Sequence, residues 1–93
     1  MLFHVGKVHI SKNVLESSIT AEDLVSAFAQ YINGDWGEIS SREEIENDAA
    51  IAFGDRIIGR YFSTEGHEFC ITTHDGATQI MTRNEVTDLT RTF

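Results

Sequence analysis

The chain has 93 residues, 41% of them apolar and 24% charged, enough for one domain with one modest core. Its formal net charge of −8 weighs against nucleic acid and anionic membrane and favours basic surfaces. There is no run of about 18 apolar residues and no signal-peptide pattern at Met1–Lys7, and the single Cys70 lacks a disulfide partner, so the expected setting is a reducing cytoplasm.

Residues 2–10 read as a first strand with imperfect alternation, in which His4 and His9 fall on opposite faces and do not share a metal. Ser11 is a candidate N-cap for a single helical turn that buries Val14 and Leu15 on one side. A longer helix is announced by Thr20 and Asp23, spaced as a capping box, with Ile19 and Leu24 at the two positions of a hydrophobic staple. It runs to about Asn33. Leu24, Ala27, Phe28, Tyr31 and Ile32 recur at three-and-four spacing and form its core stripe.

Gly34-Asp35-Trp36-Gly37 then breaks the helical pattern. Glycine accepts the backbone conformations needed where a helix stops and the chain turns. Trp36 has two readings, a plug between two helices with its N–H bonded to a carbonyl, or an exposed aromatic anchor for a partner. Asp35 caps the turn or pairs with an arginine such as Arg56.

A second helix starts at Ser40 or Ser41, each with a capping-box glutamate (Glu43 or Glu44), and stops at Gly54. Ile45, Ala49, Ala52 and Phe53 are its expected buried stripe. Glu43, Glu46, Asn47 and Ala50 are expected to face solvent. From Arg56 the pattern becomes that of strands, at 56–63, 67–73 and 77–81. They are joined by turns at Thr64-Glu65-Gly66 and His74-Asp75-Gly76. In the middle strand Phe69 and Ile71 share one face, and Glu68, Cys70 and Thr72 the other. The polar tail from Thr82 carries Val86, Leu89 and Phe93 as the apolar side of a last turn or helix. The predicted architecture is a single α+β domain. Two main helices pack on one face of a small antiparallel sheet, formed by the three-stranded meander with the N-terminal strand at an edge.

The charge is unevenly placed. From Glu16 to Asp48 there are nine acids and one base, while the rest of the chain is neutral, so the whole excess lies on the two helices and their connection. No G-x-G-x-x-G, Walker loop, H-E-x-x-H or paired-cysteine motif is present, and no metal or cofactor is expected. His67 and Cys70 fall on opposite strand faces. A Cys70–His74 nucleophile pair across the turn competes with a small buried thiol between Phe69 and Ile71.

The series Gly34-Asp35-Trp36-Gly37, Asn47-Asp48-Ala49, Gly54-Asp55-Arg56, Gly66, Phe69-Cys70-Ile71-Thr72-Thr73, Ile80 and Glu85 resembles a family of small bacterial proteins. These are carried on plasmids, phages and integrated elements and are termed plasmid-related proteins. Phe3-His4-Val5-Gly6-Lys7-Val8 matches its first strand, and Cys70 stands where that family has an aromatic residue. The resemblance implies a setting, the accessory cargo of mobile elements, and brings no activity or catalytic residue with it.

Three functional readings follow. The first is a non-enzymatic interaction module, a counter-defence inhibitor of anti-restriction or anti-CRISPR type. It would bind a basic, nucleic-acid-handling protein through Trp36, Glu38, Glu43, Glu44, Glu46 and Asp48, with no direct nucleic-acid or membrane contact. Gly34, Asp35, Gly37, Asn47, Gly54 and Arg56 are assigned to structural turns. The second is a small-molecule binder or enzyme using the sheet face near Cys70, His67 and Asp75. The third is a homodimer built on a sheet edge.

Overall fold

The structure, a computed structural model, describes residues 3–90, the last four in backbone only. In chain order the elements are β1 (Lys7–Ile10), α1 (Lys12–Leu15), α2 (Ala21–Ile32), α3 (Ser41–Phe53), β2 (Ile57–Phe62), β3 (Glu68–His74), β4 (Ala77–Thr82) and α4 (Arg83–Thr90). The sheet order is β1-β4-β3-β2. The meander pairs antiparallel as expected. β1 takes the edge beside β4 and pairs with it in parallel, so the sheet is mixed.

Local chemistry fixes the element ends. The Ser11 hydroxyl accepts from Val14 N–H and starts α1. Thr20 with Asp23 and Ser40 with Glu43 close complete capping boxes at α2 and α3. Between β3 and β4, Asp75 and Gly76 both have positive φ, 51° and 75°. That is the two-residue hairpin geometry whose twist matches the strands it joins. In the last helix Val86 is buried. The Leu89 and Phe93 side chains expected beside it lie outside the described residues, as does Leu2 of the expected first strand.

One sheet face meets α2 and α3. Ile57, Tyr61, Phe69, Ile71 and Ile80 pack there with Ala27, Tyr31, Trp36 and Ala50. Inside this core a polar relay crosses four segments. Thr78 Oγ1 donates to Val5 O at 2.6 Å. With that proton committed, Thr73 donates to Thr78 at 2.6 Å, and Tyr31 Oη donates to Thr73 at 2.6 Å. Burial pushes the Tyr31 phenol well above its ordinary value, which keeps it the proton donor at the head of the relay. The opposite sheet face carries a smaller cluster of Cys70, Met81 and Val86 under α4.

The outer edge of β2 is closed from within the chain. Arg60 N–H donates to Trp36 O at 2.9 Å, and Arg60 O accepts from Glu38 N–H at 2.8 Å. One turn of strand away, Asn47 acts as a third backbone unit. Its Nδ2 donates to Ile58 O at 2.8 Å and its Oδ1 accepts from Ile58 N–H at 3.1 Å. Gly37 permits the close approach. A Cβ there would lie 1.9 Å from Arg60 O, and its φ is +74°. A homodimer by strand addition is therefore left the β1 edge, since β2 meets its own connecting segment.

This closure corrects the expected phase of α3. Asn47 and Ala50 are buried and Glu43 and Ile51 half-buried. Ile45 is 69% exposed and Phe53 79% exposed, with Ala49 and Ala52 exposed between them. The buried set is offset by two residues from the apolar stripe, about 200° around the helix. Asn47 decides the phase. Only with its amide turned inward are the Ile58 backbone groups satisfied, and unsatisfied buried groups cost about 1–3 kcal/mol each. Ala50, small enough for close packing, and Glu43, which pairs with Arg60 at 3.2 Å, share that inward side.

Candidate functional site

The residues assigned to the central turn do structural work. Asp35 Oδ1 accepts from Gly37 N–H at 3.2 Å, and Asp35 O accepts from Tyr61 Oη at 2.8 Å. Gly34 and Gly54 have left-handed φ, and Gly54 caps α3. Arg56 is engaged away from Asp35. Its Nη1 donates to Thr72 Oγ1 at 3.2 Å and its Nη2 lies 3.5 Å from His74 Nδ1.

Trp36 is not an exposed anchor. It is 5% exposed and its ring lies 5.6 Å from Tyr31 and 5.8 Å from Phe3. A tight turn whose backbone bonds to β2 carries the ring inward, so Trp36 packs in the core and leaves the candidate partner surface, while the expected bond from its N–H to a carbonyl is not among those of the described residues.

The acids separate into two groups. Asp23 is committed to the fold. Its Oδ1 accepts from the Thr64 hydroxyl at 2.6 Å and from Thr64 N–H at 3.2 Å, its Oδ2 accepts from Thr20 N–H, and these bonds, the Thr64 hydroxyl foremost, lower its carboxyl. Glu43 is likewise committed, to the Ser40 cap and to Arg60. Glu46 is exposed and faces Arg42 at 3.5 Å across one helical turn, an exposed pair of little energetic weight. Glu38, Glu44 and Asp48 are exposed, and their side chains make no hydrogen bond or ion pair among the described residues.

The sheet face near Cys70 is closed to a ligand at the thiol. Cys70 is 1% exposed and burial pushes its thiol up to about 11. His67 is exposed in the turn before β3, and His74 and Asp75 sit at the far end of that strand. The structure therefore does not gather Cys70, His67 and Asp75. No group of three His, Cys, Asp or Glu side chains able to hold a metal occurs among the described residues. No described helix is long and apolar enough to cross a membrane.

Two surface features were not expected from the sequence. One is the exposed stripe of Ile45, Ala49, Ala52 and Phe53 on α3. The other is an open cleft of about 700 Å³ beside the same helix, with Glu46, Ala49, Asp55, Arg56, Ile58 and His74 among its walls. The signal for the first was the mid-helix asparagine, whose amide has no partner within its own helix and so belongs to whichever face meets the sheet edge.

Comparison with family models, with curated proteins and with solved structures returns no match.

Proposed function

We propose that the chain is a small acidic interaction module that binds a protein with a basic surface through the outer side of α3 and the turn before it. Glu38, Glu44, Glu46 and Asp48 are the contact acids. The observation that carries the reading is their division from Asp23 and Glu43: the four stand in solvent on elements whose inward bonds are made by other groups. Such carboxylates cost nothing to the fold when engaged elsewhere, and together they raise the rate and salt sensitivity of encounter with a cationic partner.

The resemblance to plasmid- and phage-borne proteins supplies the setting, a bacterial cytoplasm. There, a row of carboxylates imitating phosphates would occupy the groove of a nucleic-acid-handling defence protein and inhibit it. The test is a pull-down from bacterial lysate at low and high salt, with the native chain and with E44Q/E46Q/D48N. A basic nucleic-acid-binding protein retained by the native chain at low salt and lost by the variant supports the reading. Retention indifferent to both salt and the three substitutions refutes it.

A further inference from the structure

We infer that the outer face of α3 docks an amphipathic, lysine- and arginine-rich helix of a partner protein, with Ile45 and Phe53 as its apolar anchors. The inference rests on the acidic-module reading above and gives the partner's chemistry.

The stripe has the form of a helix-packing ridge. Ile45, Ala49, Ala52 and Phe53 follow i, i+4, i+7, i+8 spacing and run about 12 Å along the axis. The two alanines leave a shallow groove between the larger ends, into which a ridge of another helix fits. Single exposed apolar residues are ordinary, but a contiguous stripe rimmed by polar groups marks an interaction surface. Here the two anchors are among the most exposed large apolar side chains of the described chain.

The rim chooses the occupant. At 100° per residue, Glu44 and Asp48, which make no ion pair among the described residues, fall on one side of Ile45, and Glu46 falls on the other beside Arg42, its partner at 3.5 Å, so the uncompensated acid borders the stripe on the Glu44–Asp48 flank. A second copy of the chain would set these acids against their own kind, and an anionic lipid surface would be repelled. A helix whose apolar ridge is bordered by cations satisfies stripe and rim together. On the Glu46 flank the open cleft begins, since Glu46 and Ala49 line it along with Asp55. Asp55 stands there with Arg56 and His74, and Arg42 already meets Glu46, so the stronger attraction for a partner cation is the Glu44–Asp48 flank.

The experiment titrates the full chain into three labelled three-heptad peptides, read by fluorescence anisotropy. They are an amphipathic Leu/Lys helix, a scramble of the same composition, and a Leu/Glu helix with the same stripe. The Leu/Lys helix is expected to bind about tenfold or more tighter than either control. The I45S/F53S variant is expected to weaken it by about tenfold or more. E44Q/E46Q/D48N is expected to weaken it and to flatten its salt dependence. Circular dichroism and urea unfolding establish that both variants are folded. Loss of binding with the charge variant but not with I45S/F53S overturns the helix-docking inference and leaves the acidic module standing. No effect of either variant overturns both, whereas equal binding of the scramble overturns the helix-docking inference alone, because a cation recognised without regard to pattern is what the acidic module by itself would bind. Self-association in sedimentation that I45S/F53S abolishes makes a second copy the occupant and also overturns the inference.

Discussion

Replacing Asn47 with alanine isolates the contact that orients α3. The side chain is 4% exposed and makes two hydrogen bonds to the Ile58 backbone, at 2.8 and 3.1 Å. Truncation leaves one N–H and one C=O of an edge strand without those partners. At about 1–3 kcal/mol for each unsatisfied group, and with water reaching part of the edge, the loss is about 2–4 kcal/mol. Alanine is the better helix former by roughly 0.6 kcal/mol, which offsets a small part. The net cost of about 1.5–3.5 kcal/mol is a large share of the 5–15 kcal/mol typical of a domain. Urea unfolding followed by circular dichroism reads it as a lower midpoint with an unchanged slope, provided the native state keeps its compactness. Asp48→Ala, one residue along on the exposed side, is the control and should fall within about 0.5 kcal/mol of the native chain. If Asn47→Ala is as mild as Asp48→Ala, the asparagine does not hold the β2 edge, and the explanation for the phase of α3 is wrong.

Other consequences are equally open to measurement. Because Ile45 and Phe53 are exposed, I45S/F53S should change the urea midpoint by no more than about 0.5 kcal/mol equivalent per site, whereas buried residues of that size would cost several times as much. Gly37→Ala should be severely destabilising, since its Cβ would overlap Arg60 O and its φ is strained for any L side chain; an unchanged thermal midpoint would contradict the backbone bridge to β2. For Cys70, the rise from 9.0 to about 11 lowers the thiolate population at pH 8 by about a hundredfold before steric protection is counted, so a thiol reagent should label the urea-unfolded chain far faster than the folded one. Glu85 is partly desolvated, which alone would raise its carboxyl. Bonds from Thr82 N–H and from the Ser11 and Thr82 hydroxyls outweigh that and hold it below its ordinary 4.5. The unfolded chain therefore takes up the proton first as pH falls. The contribution of Glu85 is present above the unfolded value and is lost as pH drops through the lower folded one. Glu85→Gln should accordingly be less stable at neutral pH and decline less steeply under acid; an identical acid profile would remove these bonds from the account.

Most of the scaffold was written locally. Thr20-Asp23 and Ser40-Glu43 state two helix starts by themselves, because a capping box needs only residues three apart. Asp75-Gly76 states a hairpin for the same reason, and the alternation of Phe69 and Ile71 against Cys70 and Thr72 states the faces of β3. What could not be read was decided at a distance. Nothing near Lys7–Ile10 shows that β1 runs parallel to β4, some seventy residues on. The face that α3 turns inward depends on Ile58, eleven residues from Asn47 and in another element. Apolar residues fall on both sides of α3, Ala50 and Ile51 inward and Ile45 and Phe53 outward, so the two Asn47 hydrogen bonds are enough to set its phase. The candidate surface shifted with it. Four of the six expected contact residues, Glu38, Glu44, Glu46 and Asp48, remain exposed on α3 and the turn before it. Trp36 belongs to the core, Glu43 to the β2 edge, and Ile45 and Phe53 take their place outside.

The claim on which the rest depends is that α3 turns Asn47 and Ala50 inward and Ile45 and Phe53 outward. Single cysteines at position 45 and at position 50, with buried Cys70 left in place, put it to direct trial by thiol-labelling rates under native conditions. Ile45→Cys should label as fast as a short unstructured peptide. Ala50→Cys should label about a hundredfold or more slowly, because its thiol is reached only when α3 opens from the sheet. Rapid labelling at 50 with protection at 45 would mean that the helix lies in the opposite phase, and the acidic, apolar docking face would not exist.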